Sequence, residues 1–162
     1  MTLLRVLIGP PGVGKSTWCA APAVAPRLGL VLSLDAARAR LGAGEHDQSV
    51  TPAAVADVRR RCARSLVMGT SVTVDATGSS ISDRATWLEL AGWCGVAATA
   101  VVFRAPLALT LRRNAGRARQ VPQEVVAAMA ARIARTSAAH LLAEGFHAVV
   151  ELTASSTPSD HP

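Results

Sequence analysis

An α/β domain with a five-stranded parallel sheet and helices on both faces is predicted by three features of this sequence. Short runs rich in Val and Leu alternate with longer stretches of helical periodicity, the order that builds right-handed β-α-β crossovers. The first apolar run leads at once into Gly9-Pro10-Pro11-Gly12-Val13-Gly14-Lys15-Ser16, which fits G-x-x-x-x-G-K-[ST] at every fixed position. Half of the 162 residues are apolar, enough for one domain whose sheet is buried on both faces.

Each element has its own warrant. Residues 2–8 read as a strand, and residues 16–21 open a helix whose positive end faces the glycine-rich loop. Pro22 and Pro26 end that helix. Residues 28–34 form a second strand that delivers Asp35 at its C-terminal end, where parallel sheets place ligand-binding side chains. One or two helical turns over 36–41 lead to a polar loop, 42–49, placed to border an acceptor site. Thr51-Pro52 starts a helix with Val55, Val58, Cys62 and Leu66 on its apolar face and Arg59, Arg60, Arg61 and Arg64 on its solvated sides. Residues 71–74 are the third strand, ending in Asp75. Ser82 is the expected N-cap of a helix that buries Trp87, Leu88, Leu90 and Ala91, and Gly95 its stop. Residues 96–103 give the fourth strand. Pro106 opens a helix that runs into the basic, small-residue stretch 112–119, read as a mobile, arginine-rich lid. Pro122 then begins one long helix with Val126, Met129, Ile133 and Leu141 near one face, closed by Gly145, and 147–152 is the fifth strand. The domain is thus 1–152. The Ser-, Thr- and Pro-rich segment 153–162 is expected to be a disordered tail.

A formal charge of +6 suits a polyanion, but Lys15 is the sole lysine, so clustered arginines carry more meaning here than the total. Cys19, Cys62 and Cys94 form no C-x-x-C pair and follow no signal peptide, the pattern of reduced thiols in a cytoplasmic protein. Gly, Pro or charge cuts every apolar run well short of a membrane span, and no membrane association is expected. The four histidines, His46, His140, His147 and His161, have no mutual spacing of metal ligands.

The chemistry follows from the loop. Gly12, Val13 and Gly14 let the backbone curl so that successive N–H groups converge on phosphates, with Lys15 reaching the β- and γ-phosphates of ATP, Ser16 ligating Mg²⁺ and Thr17 continuing the site. A GTPase needs an Asn-Lys-x-Asp base-reading motif, yet the one asparagine, Asn114, is followed by alanine. A hydrolysing ATPase sets a glutamate after the aspartate of the third strand, but Asp75 precedes Ala76. Transfer to a bound hydroxyl remains, which needs a carboxylate to take the proton and cations on the moving phosphoryl group. Asp35 is the candidate base, with Arg38 on the same helical face; the alternative for Asp35 is a helix cap, and for Arg38 a surface charge. Asp75 ends its strand like a Walker B carboxylate and can hold a Mg²⁺-bound water or touch the acceptor; the alternative is a strand-terminating aspartate bonded to neighbouring N–H groups. Arg113 and Arg117, four residues apart, can both face the nucleotide, with a solvent-facing basic turn as the alternative for each; Arg112 and Arg119 read as solvent-facing.

Taken together, Gly9 to Trp18, Asp35-x-x-Arg38, Val74-Asp75-Ala76-Thr77 and Arg113-Asn114-x-x-Arg117 before Val121-Pro122 resemble the phage-type polynucleotide 5′-hydroxyl kinases, over residues 3–136 or so. The resemblance implies a P-loop kinase fold and ATP-dependent phosphorylation of the 5′-OH end of a nucleic acid. It implies Asp35 as general base, Arg38 on the acceptor's phosphate, and Arg117 on the donor phosphates. Two other readings share the loop: a kinase for a nucleoside, sugar or antibiotic hydroxyl, and a non-enzymatic nucleotide-dependent switch, which needs no base at Asp35.

Overall fold

The computed structural model describes residues 1–44 and 47–154, so His46, His161 and the tail expected from residue 155 onward lie outside the described residues. The five strands β1 (Leu3–Ile8), β2 (Leu30–Ser33), β3 (Val72–Asp75), β4 (Ala97–Arg104) and β5 (Ala148–Thr153) form one sheet in the order β2-β3-β1-β4-β5. Every pairing is parallel, as predicted. Among the described residues, seven α-helices connect and cover the strands: α1 (Lys15–Ala20), α2 (Leu34–Leu41), α3 (Thr51–Val67), α4 (Ile81–Cys94), α5 (Leu107–Ala115), α6 (Gln123–Arg135) and α7 (Ala138–Glu144).

The alternation of side chains along each strand divides the core into two layers. Leu4, Val6 and Ile8 of β1, with Ala98, Ala100 and Val102 of β4, face α3, α4 and parts of α6 and α7, burying Val58, Cys62, Trp87, Leu90, Ile133 and Leu141. Leu7, Val101 and Phe103 face the other way, against Val13, Trp18 and Cys19 of the loop and α1. Strands buried on both faces read as continuous apolar runs, which is why β1 and β4 are legible in the sequence.

The boundaries differ where local polar groups decide them. Gly29, with φ +67, turns the chain into β2 so close to Ser71 that a Cβ would lie 2.0 Å from the Ser71 carbonyl oxygen, and β2 therefore starts at Leu30 rather than residue 28. Its end is also earlier: Ser33 caps α2 by accepting from the Ala36 N–H, so Asp35 sits in the first turn of a helix and not on the strand. The cap of α4 is Ser80 instead of Ser82, because Ser80 and Asp83 make a reciprocal capping box. The apolar face of α3 is Ala54, Val58, Cys62 and Leu66, with Val55 only half-buried. The long helix expected after Pro122 is two: Thr136 is extended, and Ser137 caps α7 through a box with His140. Thr153, expected in the tail, belongs to β5.

Arg84 is 2% exposed, a burial that helical periodicity alone gives no reason to expect. Its Nε and Nη2 each donate to a carboxylate oxygen of Glu144 at 2.6 Å, and Nη1 donates to the Gly78 carbonyl at 2.8 Å. The pair ties the start of α4 and the turn after β3 to α7. Glu144→Ala leaves that guanidinium buried without its counter-ion and should cost about 3–5 kcal/mol in urea unfolding. The double change Arg84→Met with Glu144→Leu should cost far less, because no uncompensated charge remains.

Candidate active site

The sheet order places a topological switch point at β1. The chain leaves β1 toward β2 on one side and later reaches β4 on the other, so loops part above the carboxyl ends of β1 and β3. Into that crevice come the glycine-rich loop after β1, Asp75 at the end of β3, and the first turn of α2. A bond from the Gly9 N–H to the Thr77 carbonyl, 3.0 Å, fastens the loop to the segment after β3.

Glycine is required twice in the loop. At Gly12 (φ +83) a Cβ would meet the Thr110 carbonyl oxygen at 2.6 Å and the Asn114 nitrogen at 3.0 Å, so the missing side chain lets the loop lie on the backbone of α5. Gly14 (φ +109) is the N-cap of α1 and brings no side-chain cap bond of its own. Lys15 Nζ donates across the loop to the Gly9 and Pro10 carbonyls at 2.8 and 3.4 Å. Ser16 and Asp75, an all-oxygen pair of the kind a hard divalent cation takes, line the same cavity, and the Ser16 hydroxyl is near enough to lower the Asp75 pKa. A cradle that a Cβ would obstruct, a lysine at its mouth and this oxygen pair fit a nucleoside triphosphate with Mg²⁺.

The charges are coupled. Burial pulls the Lys15 pKa down, while Asp75 and then Asp35 push it up and Arg117 lowers it further. Burial also raises the Asp75 pKa; Lys15 opposes this, Asp35 adds to it, and Ser16 and Arg117 oppose it. Burial pushes the nearby Cys19 thiol up to about 11 and the core Cys62 thiol to about 12; all three cysteines are free.

All eleven residues that the sequence singles out line one cavity of about 1420 Å³: Gly12 to Thr17, Asp35, Arg38, Asp75, Arg113 and Arg117. That exceeds the roughly 300–1,000 Å³ of an ordinary small-molecule pocket, so donor and acceptor can share it. Gln48, from the 42–49 segment, also lines the cavity. Trp18 stands edge-on to Phe103, centroids 5.4 Å apart, and with Leu152 gives the cavity an apolar wall.

Two residues depart from the sequence expectation. Arg119, expected to face solvent, is only 23% exposed at its side chain and places Nη1 3.6 Å from Asp35 Oδ1, the oxygen that also receives Arg38 Nη2. Arg112 is exposed as expected. Asn114, to which the sequence assigns no structural role, is 2% exposed; its amide donates to the Val121 carbonyl at 2.8 Å and its Oδ1 accepts from the Val121 N–H at 3.2 Å. This two-point bond gathers 116–121 into a loop closed at its base, where Gln120 adds a bond to the Ala115 carbonyl at 2.8 Å. The stretch expected to form one lid is therefore divided. Arg112 and Arg113 belong to the last turn of α5, where Arg113 Nη1 donates to the Val13 carbonyl at 3.3 Å, and Arg117 and Arg119 ride on the tied loop. A lone asparagine ahead of a proline is the sequence signal for that tie.

Among the described residues no helix is long and apolar enough to cross a membrane. Among solved structures, the chain is similar to one in the Pnkp1/Rnl/Hen1 RNA repair complex, at 21% identity and a TM-score of 0.65, over 82% of this chain and 44% of that one. It spans less than half the length of that relative. It is also similar to a gluconokinase from Sinorhizobium meliloti, at 17% identity and a TM-score of 0.59, over 95% and 83% of the two chains. A sugar kinase from Janibacter gives 17% identity and a TM-score of 0.62, over 94% and 86%. These likenesses show a shared P-loop kinase fold. No curated protein matches the chain. The model of the AAA domain family matches residues 4–136, most of the sequence and all of the loops described above, and the chain belongs to that family.

Proposed function

We propose that the protein is a kinase that transfers the γ-phosphate of ATP to the 5′-hydroxyl of a polynucleotide. The observation that carries this reading is the surroundings of Asp35: a carboxylate on the acceptor side of the cavity, with Arg38 and Arg119 gathered on one of its oxygens. A base ringed by guanidinium groups suits an acceptor that brings its own negative charge beside the hydroxyl, as every nucleotide end does.

The roles follow from position. The loop backbone and Lys15 hold the donor phosphates, with Arg113, bonded to the Val13 carbonyl of the loop, and Arg117 lining the same cavity. Mg²⁺ held through Ser16, with Asp75 beside it, would neutralise charge on the β- and γ-phosphates. Both arginine contacts to Asp35 use Oδ1, leaving Oδ2 to accept the proton of the attacking hydroxyl. The closed loop of 116–121 helps to exclude water, and Ala76, where a hydrolysing ATPase carries an acid, offers water no base.

The test compares kcat/KM for a nucleoside 3′-monophosphate and for the bare nucleoside. Wild type should favour the phosphorylated acceptor by about 2 kcal/mol or more, the worth of a charge-assisted contact, and Arg38→Ala should erase most of that preference. A ratio near one in wild type would move the assignment to a small-molecule kinase. That second reading is favoured by size, since this chain covers most of the gluconokinase and of the sugar kinase it resembles in fold.

A further inference from the structure

We infer that Arg119 joins Arg38 in a clamp for the acceptor's phosphate, with the Asp35 carboxylate as its internal counter-ion, so that an arriving phosphate draws the guanidiniums off Asp35 and frees the base. The inference rests on the polynucleotide reading and gives the arginine of the tied loop a role in acceptor selection.

Three observations support it. Arg119 and Arg38 come from different elements, a loop after α5 and the middle of α2, yet converge on the same oxygen of Asp35. Nothing in local sequence requires that meeting. The Arg119 contact, at 3.6 Å, is an ion pair longer than a hydrogen bond, so this guanidinium is held nearby without being locked. Two guanidiniums share one oxygen of this carboxylate, and Asp35 keeps 39% of its side chain exposed. A phosphate, with two unbridged oxygens in a phosphodiester and three in a terminal monophosphate, can take both forks in charge-assisted bonds that the single shared Oδ1 cannot match. The loop that carries Arg119 is anchored two residues later, where Val121 is bonded to Asn114, so its reach toward α2 is built into the fold.

The exchange makes the base conditional. With its guanidiniums drawn to the acceptor's phosphate, Asp35 takes the hydroxyl proton while the acceptor oxygen forms its bond to the γ-phosphorus. The bond from that phosphorus to the β,γ-bridging oxygen breaks, and ADP leaves with the electron pair. A neutral acceptor leaves both arginines on Asp35 and gains nothing from the clamp.

The test is calorimetric and needs no turnover. The protein is saturated with Mg²⁺ and a non-hydrolysable ATP analogue, and adenosine 3′-monophosphate and adenosine are titrated in turn. The quantity read is the ratio of the two affinities, in wild type and in Arg119→Ala, Arg119→Lys and Asp35→Asn. Arg119→Ala should reduce the ratio by about tenfold or more, the size of one charge-assisted bond, and Arg119→Lys should restore part of it. Asp35→Asn should increase the ratio, because the competing counter-ion is gone; a residue that merely supports the fold would not tighten anion binding when removed. A ratio unchanged in Arg119→Ala, or lowered in Asp35→Asn, would overturn the clamp, as would failure of wild type to prefer the phosphorylated compound. Arg119 is partly exposed, so its variants should fold and their affinities can be measured directly. Failure of the polynucleotide reading would look different: the affinity pattern would hold while no 5′-hydroxyl received phosphate.

Discussion

Arg117→Ala should lower the rate of phosphoryl transfer by about 10³- to 10⁵-fold, the range of arginines that stabilise charge on a moving phosphoryl group. Arg117 lines the cavity together with Lys15 and Asp75, and its charge lowers the pKa of both. The comparison must be Arg112→Ala, because Arg112 is exposed on α5 whereas Arg119 contacts Asp35. Single-turnover rates at saturating ATP should separate the two variants by at least about two orders of magnitude. Equal losses would mean that only the basicity of the stretch matters.

Asp35→Asn should bind ATP as wild type does and lose about 10²- to 10⁴-fold in transfer, the span of general-base contributions. The amide keeps the shape of the carboxylate and removes its affinity for a proton. Ser33, not Asp35, caps α2, so the variant keeps the cap bond and should melt close to wild type. Nucleotide affinity by calorimetry and transfer by radiolabel are the paired measurements. A variant that retains most of its activity would leave Asp35 a helix-terminal charge and no more.

The sheet, the phosphate loop and the presence of Asp35, Asp75 and Arg117 in one crevice can be read from the chain because each depends on short-range rules. Doubly buried strands are apolar runs, a phosphate cradle needs glycines at fixed spacing, and a parallel sheet presents functional groups at strand ends. What cannot be read depends on partners distant in sequence. Arg84 gives no sign of its burial until Glu144, 60 residues on, is in place. Arg119 looks in sequence like the exposed Arg112, because its meeting with Asp35 depends on a loop closed by the Asn114–Val121 and Gln120–Ala115 bonds. The break between α6 and α7 is hidden by a capping box closed by histidine where glutamate or glutamine is the usual signal. Asp35 belongs one element later than its apolar run suggests, since a serine two residues before it stops the strand.

The most direct measurement follows labelled γ-phosphate from ATP in the presence of Mg²⁺ and a 5′-hydroxyl oligonucleotide. Nucleosides and gluconate serve as parallel acceptors and Lys15→Ala as the blank. Label should appear at the 5′ end of the oligonucleotide, faster than on any small acceptor, and should be lost in Lys15→Ala. Label on a nucleoside or gluconate alone, or on no acceptor at all, would contradict the assignment of this site to polynucleotide 5′-hydroxyl phosphorylation.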